Sequence, residues 1–407
     1  MNTPGTREVQ KITRDDAIKA FRAHFGKEPE IVVRTPGRVN LLGEHTDYSK
    51  GFVLPMTISR AVWMAFRACD QNVARLYSAD YDEDCSFGVE RFSKQDRPDY
   101  FAEKDEDGEK RQPIPWFEYI RASVWALSDQ GKNCKGFEAV VLGDIPQGVG
   151  LASSAALEVS TILALNELGG YNLSKPDMAK LAQRAENEWI GLKSGVMNPM
   201  ICLIGEPGKV FLVDCGDLKY TSFDMPNTVA VAFMDTGVRH YRNGATYNKR
   251  REQCAEICEI LGVENLRMTT QEMLEGVRDK IPSSLFSKAY HVLYENMRVQ
   301  SAASALQYSE FDILGKLISE SHFSLQYSYE VSCFELDAIC DVARSYPACL
   351  GARMAGSCLG GGAIALIYAA KAQDFAEKVL EGYYKQTGKK ATITFGQATE
   401  GAKAERL

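Results

Sequence analysis

The stretch GDIPQGVGLASSAALEVS combines residues suited to holding an anion. Gly148 and Gly150 permit a tight turn in which backbone N–H groups converge, and Ser153 and Ser154 then open an apolar helix whose N-terminal dipole points at whatever the turn holds. It is not a Walker A loop, because no Gly-Lys-Ser/Thr follows, and it lacks the third glycine of a dinucleotide fingerprint. A second cluster, TPGRVNLLGEHTDYSKGFVLP, crowds Arg38, Glu44, His45 and Asp47 together. One fixed cation beside several short polar groups suits a polyhydroxylated ligand, since each sugar hydroxyl both donates and accepts. A third stretch, SKPDMAKLAQRAENEW, starts a helix at Ser174 and Asp177 and sets Glu186 on the face that carries Ala182, Ala185 and Trp189. A carboxylate on such an apolar stripe needs a partner, and a magnesium ion is one. Singly, each feature has a plain structural explanation: a glycine-serine turn is as often only a turn, and a lone histidine is more often hydrogen-bonded locally. Their co-occurrence is what points to a site.

These residues need strands and helices to position them. TRDDAIKAFRAHFG carries Ile18, Phe21 and Phe25 at helical spacing behind Thr13 as N-cap, with Asp16 three residues on. Strand-like runs follow at IVVRT, FVLPM, AVWMAF and ARLYSADY, and the charged, proline-bearing DRPDYFAEKDEDGEKRQPIP reads as a solvated loop. From FEAVVLGDIP the order is strand, glycine turn, helix, helix, strand. VAVAFMDTG, a helical region over roughly 249–345, and the strands AIALIY and ATITF complete the chain. The clearest boundary lies near 205–220, which divides the chain into two α+β halves with their cleft as the expected site.

Composition sets limits on function. The 407 residues are 45% hydrophobic and 25% charged, the balance of a globular protein with room for two domains. The net charge of −7 provides no basic field for nucleic acid or an anionic membrane. The opening MNTPGTREVQKITRDD lacks the apolar core of a signal peptide, so a cytoplasmic location is expected. Eleven cysteines without CxxC pairs argue for reduced thiols, and Cys254 and Cys258 in CAEIC share a helical face as packing residues.

Taken together, the stretches resemble the galactokinase branch of the GHMP small-molecule kinases. PGRVNLLGEHTDY is similar to that family's sugar-binding signature, and IPQGVGLASSAALE to its phosphate loop with Ala152 in place of a serine. YNKRREQC, ESHFSL and ARMAGSCLGGGAIAL extend the likeness over the second half. The resemblance implies a two-domain α+β GHMP kinase fold, residues 1–210 binding sugar and ATP and 211–407 forming the C-terminal domain, with the active site in the cleft between them. It also implies transfer of the ATP γ-phosphate to the anomeric hydroxyl of galactose or a similar sugar. Glu44, His45, Asp47, the backbone of Gly195 and Tyr247 would hold the sugar. Trp116 would line the adenine pocket, with Gly148, Gly150, Ser153 and Ser154 around the phosphates. Ser154 and Glu186 would bind Mg2+, and Arg38 would lie beside the attacking hydroxyl. With no lysine in the phosphate loop, the ion, the helix dipole and Arg38 must offset the triphosphate charge.

One position departs where chemistry is at stake. In GVMNP the family pattern has an aspartate, assigned as catalytic base, and this chain has Asn198 followed by Pro199, at the family's spacing from Glu186. An amide accepts a hydrogen bond but takes no proton near neutral pH. A lone Asp-to-Asn change made to trap a complex would not explain the further departures, AGSCLGG for the family's glycine run and QYSY at 326–329. Two readings stay open: a catalytically impaired sugar- and ATP-binding sensor or regulator, and a working kinase that does without the base. The second is favoured, because the loose transition state of phosphoryl transfer leaves the incoming hydroxyl little deprotonated and makes positioning and charge dominant. Asp235, which ends a strand, would take the base role only if folded near the sugar, and the sequence leaves the preferred sugar and the oligomeric state open.

Overall fold

The structure is a computed structural model; it describes residues 12–90, 97, 100, 114–239, 243–356 and 361–407. Along the chain, α1 (Arg14–Phe25) precedes β1 (Ile31–Asn40), β2 (Phe52–Val53), β3 (Pro55–Ala68), β4 (Val73–Ser78) and β5 (Glu83–Gly88). Then come α2 (Trp116–Asp129), β6 (Phe137–Gly143), α3 (Ser153–Gly169), α4 (Lys175–Arg184), a π-helical turn (Ala185–Ile190) and α5 (Met197–Ile204). The strands β7 (Lys209–Asp214), β8 (Tyr220–Asp224) and β9 (Val229–Asp235) lead into α6 (Asn243–Leu261), α7 (Gln271–Glu275), α8 (Ser283–Gln307) and α9 (Phe311–Phe323). A second π-helical turn (Ser324–Tyr329) is followed by α10 (Phe334–Ser345), β10 (Cys349–Ala355), β11 (Gly362–Tyr368), α11 (Ala372–Thr387), β12 (Thr392–Gly396) and β13 (Lys403–Arg406).

Local sequence explains the elements that matter for the site. Thr13 caps α1 in a reciprocal box with Asp16, as its spacing suggests, and Ala17, Ile18 and Phe21 bury against Val32, Ala65 and Val140 of the first sheet. The helix α3 is apolar on nearly every side, so it is buried nearly throughout. The charged stretch 96–115 lies mostly outside the described residues. The helical region expected over 249–345 resolves into α6 to α10.

Three sheets organise the chain. The first runs β13-β1-β3-β6-β4-β5, so the last strand returns to pair with the first, Ile31 facing Arg406. The second runs β10-β11-β9-β12, antiparallel throughout. The third joins β2 to β7 and β8, the segment across which the domain boundary is placed. No described helix is long and apolar enough to cross a membrane. The ten described cysteines are all free thiols, and Cys254 is buried on α6.

The helix α9 lies against β10 through backbone. A Cβ on Gly351 would stand 1.8 Å from the carbonyl oxygen of Gly315, and one on Gly315 would stand 2.2 Å from that of Leu350. Neither backbone can yield without moving its element. Gly351→Ala is therefore expected to lower the unfolding free energy by at least ~1–3 kcal/mol, read from urea denaturation. Unchanged stability would mean that the two elements can separate freely.

Candidate active site

The site begins with a break in a strand. The pairing of β1 with β3 slips between Pro36 and Arg38, and such a bulge re-aims the side chain that follows it. Gly37 has no room for a side chain: a Cβ there would lie 2.9 Å from the carbonyl oxygen of Leu151, which also accepts from the Arg38 N–H at 3.1 Å. The glycine turn is thereby docked onto β1 beside Arg38. The Arg38 guanidinium, 5% exposed, donates from Nε and Nη2 to Asn198 Oδ1 at 2.8 and 2.6 Å, and from Nη1 to the carbonyl of Gly150. Burial pulls its pKa down, against the raising effect of the Glu44 charge. Because a guanidinium only donates, it fixes the Asn198 oxygen towards itself and turns the amide N–H groups away. Asn198 and Pro199 occupy the first turn of α5, where backbone N–H groups have no intrahelical acceptor, so the proline fits without breaking the helix.

The polar cluster forms a strained turn. Gly43 has φ of 92° and His45 of 63°, both left-handed. Glu44 Oε2 accepts from Asn40 Nδ2 at 3.1 Å and from Arg353 Nη2 at 2.7 Å. His45 Nδ1 lies 3.0 Å from the Tyr48 hydroxyl, which in turn meets the hydroxyl of Tyr329. The His45 ring also packs 5.4 Å from that of Tyr247. Asp47 rests on Gly195, where a Cβ would come within 2.0 Å of Oδ2, so any other residue there would have to displace the carboxylate. Burial, then the Glu44 charge, pushes the Asp47 carboxyl up to about 6. Glu44 and Asp47 supply acceptors and Arg38 a donor, the set that a polyhydroxylated ligand requires.

The anion cradle lies alongside. Gly148, Gly150 and Ala152 all have positive φ, and Ala152 caps α3 without a side-chain hydrogen bond, so the first N–H groups of that helix have no side-chain acceptor. Ser153 is the first residue of α3. Ser154 Oγ donates to Glu186 Oε1 at 3.1 Å, and Ser194 Oγ donates to Oε2 of the same carboxylate. Glu186, 3% exposed, has its pKa raised by burial, which those two hydroxyls oppose. It sits in the π-helical turn rather than continuing α4, with Ala182, Ala185 and Trp189 buried beside it. Arg239 lies over the cradle, Nε donating to Gln147 O at 3.2 Å, and it forks onto Asp235 with two bonds of 2.8 Å. Asp235 also accepts from Gly237 N–H at 2.9 Å, so its contacts belong to its own turn.

Family models match three segments of the chain. The galactokinase galactose-binding signature covers residues 19–68, the GHMP kinases N terminal domain 118–206 and the GHMP kinases C terminal 302–385. The chain is 33% identical over 386 residues to galactokinase of Roseiflexus, covering 94% of each, and 35% identical over 390 residues to human galactokinase, covering 95% of each. The crystal structure of Lactococcus lactis galactokinase complexed with galactose superposes with a TM-score of 0.86 at 29% identity, over 96% of this chain and 98% of that one. The chain belongs to the galactokinase family. At 18% identity and a TM-score of 0.60, Methanococcus jannaschii mevalonate kinase shares the GHMP fold.

Contacts in this galactokinase-family chain link Arg38 with Asn198, Asp47 with Gly195, His45 with Tyr247, and Ser154 with Glu186. Trp116 stands apart from them: it opens α2, donates to Glu83 Oε2 at 2.9 Å and meets the edge of Phe117. The glycine run is described only at its ends. A Cβ on Gly150 would lie 2.6 Å from Gly356 Cα, and one on Gly361 would lie 2.8 Å from Gly148 O, so both ends press on the cradle. Ser357 and Cys358 lie outside the described residues. Sequence reasoning missed Ser194, Arg353, Glu295 and His291. The signal it passed over was polar residues at helical spacing on a buried face, His291 and Glu295 in AYHVLYENMRV.

Asp47 carries a stability consequence. Its folded pKa of about 6 lies above the ordinary carboxylate value of 3.8, so its contribution is fully present below pH 4 and is lost as pH rises through 6. Asp47→Asn removes that loss. The variant is expected to gain up to roughly 3 kcal/mol on the parent between pH 4 and pH 7, measured by denaturant unfolding of both at each pH. Parallel pH profiles would show that Asp47 is not held in this way.

Proposed function

We propose that this chain is a sugar 1-kinase acting on galactose: the anomeric oxygen bonds to the γ-phosphorus of ATP, the bond to the β–γ bridging oxygen breaks, and galactose 1-phosphate and ADP leave. The observation that carries the reading is the placement of Arg38, which touches the glycine cradle at Gly150 and Asn198 on α5. It thereby stands between the proposed phosphate and sugar groups. Glu44, His45, Asp47, Gly195 N–H and Tyr247 hold and orient the sugar, and Trp116 faces adenine. Gly148, Gly150, Ser153 and Ser154 present N–H and hydroxyl donors to the phosphates. Residues 1–210 form the sugar- and ATP-binding domain and 211–407 the C-terminal domain, apart from β13, which returns to the first sheet, in a cytoplasmic protein.

Magnesium fits the residues present. Ser154 and Glu186 supply only oxygen atoms, at a helix N-terminus facing the phosphates, and this ion is ordinarily held by one or two protein oxygens together with substrate phosphates. When bound it neutralises charge on the phosphates. Arg38 aligns the anomeric hydroxyl and offsets the charge of the transferred phosphoryl group. Asn198, in place of the family's base, keeps Arg38 oriented and takes no proton. The hydroxyl proton instead leaves late, to an oxygen of the phosphoryl group that it joins.

Incubation with Mg-ATP and galactose is expected to yield galactose 1-phosphate and ADP in equal amounts, and chelation of the metal should stop both. Tight galactose binding by calorimetry with no phosphorylated sugar after hours would instead establish the sensor reading. Asn198→Asp restores a carboxylate beside Arg38, which would pair with it and limit repulsion of ATP. A faster single-turnover rate is expected, by at most about 10²–10⁴-fold, with ATP affinity unchanged or weaker. A slower variant at saturating substrates would overturn the lost-base account.

A further inference from the structure

The turn that carries Glu44 and His45 is held from behind by side chains far away in sequence. Arg353, on β10 and 0% exposed, donates from Nε to Leu41 O at 2.8 Å, from Nη2 to Asn40 O and Glu44 Oε2, and from Nη1 to Met354 O at 2.8 Å. Glu295, on α8 and also 0% exposed, accepts at Oε1 from the N–H groups of Gly43 at 2.9 Å and Glu44 at 3.4 Å, and from Ser321 Oγ at 2.7 Å. Its Oε2 accepts from Arg298 Nε at 2.8 Å. His291, one turn earlier on α8, reaches Glu44 O with Nε2 at 3.1 Å and Ser324 Oγ with Nδ1 at 2.8 Å. A carbonyl only accepts, so Nε2 carries the proton and Nδ1 accepts from the serine. Burial holds this imidazole neutral, with a pKa of about 3.

The turn passes through a left-handed glycine, Gly43, into a left-handed non-glycine residue, His45, and the strain of the latter persists only where the surroundings over-determine it. A guanidinium on its carbonyls, a carboxylate on its N–H groups and an imidazole on the Glu44 carbonyl supply that determination. We propose that Arg353, Glu295 and His291 are positioning residues that set the conformation of the turn 40–45, and so the affinity for sugar, through Glu44 and without touching the sugar. This rests on the reading of Glu44 as a sugar contact.

The test is a binding cycle with galactose and, separately, ATP on the full chain. Arg353→Lys keeps the charge but loses the planar fork. Galactose binding is expected to weaken ~10–100-fold, while ATP binding without sugar stays within about twofold of the parent. In a Glu44→Ala background the same change should weaken galactose binding only a few-fold further. Should Arg353→Lys fail to fold, His291→Phe keeps a ring and deletes the donor to Glu44. It should weaken galactose binding several-fold, and His291→Gln, which retains a donor, should recover most of the loss. Fully additive losses with Glu44→Ala, equal loss of ATP and sugar affinity, or unchanged sugar affinity in His291→Phe would each overturn the positioning role. Unchanged sugar affinity in Glu44→Ala alone would overturn the sugar-turn reading itself.

Discussion

The arrangement depends on one buried cation whose direct partners are neutral. Arg38 is 5% exposed, yet its hydrogen bonds go to an amide oxygen and a peptide carbonyl, and the carboxylates of Glu44 and Asp47 act on it only through their fields. Removing a charge from water costs far more than two neutral acceptors return, so such a guanidinium is best satisfied by an incoming anion. A chain with a net charge of −7 therefore holds a concentrated positive point where its glycine turn meets α5. An aspartate at 198 would neutralise that point; Asn198 orients the guanidinium and leaves its charge available.

Backbone clearance does the rest of the positioning. Gly37 lets Leu151 dock on β1, and Gly150 and Gly356 touch across the cradle, each at a distance a Cβ would violate. Side chains on flexible stems would spread these groups over several rotamers. Peptide groups in close contact do not have that freedom, which suits chemistry that depends on positioning to a fraction of an ångström.

Much of this was legible in the sequence for reasons that can be named. The Thr13 cap, the alternation of strands and helices, and the glycine-serine opening of α3 are local, and local patterns carry their own geometry. The family likeness of GRVNLLGEHTDY added residue-level expectations that spacing alone would not license. Spacing sets Glu186 on the correct apolar face but on an ordinary helix; the π-helical turn that carries it, and the meeting of Ser154 and Ser194 at its carboxylate, are not encoded in periodicity. Arg353 was illegible as a partner of Glu44, because nothing in ARMAGS indicates that a charged residue in a buried strand crosses to a turn 309 residues away.

That long reach also decides how the site comes together. Closing a loop of several hundred residues costs little more entropy than closing a short one, so the separation is affordable thermodynamically. The cost lies in charge: Arg353, Glu44 and Glu295 are buried, with Arg298 half-buried beside Glu295, and removing one leaves its partner uncompensated in a low-dielectric interior. A partly formed network of these charges is thus worse than none, and intermediate arrangements of the turn are disfavoured. The left-handed conformation at His45 follows directly on a turn that α8 holds at the Gly43 N–H and β10 at the Leu41 carbonyl. The turn that bears Glu44 is thus held by the second half of the chain, whereas Arg38, after the β1 bulge, takes its partners Gly150, Leu151 and Asn198 from the first.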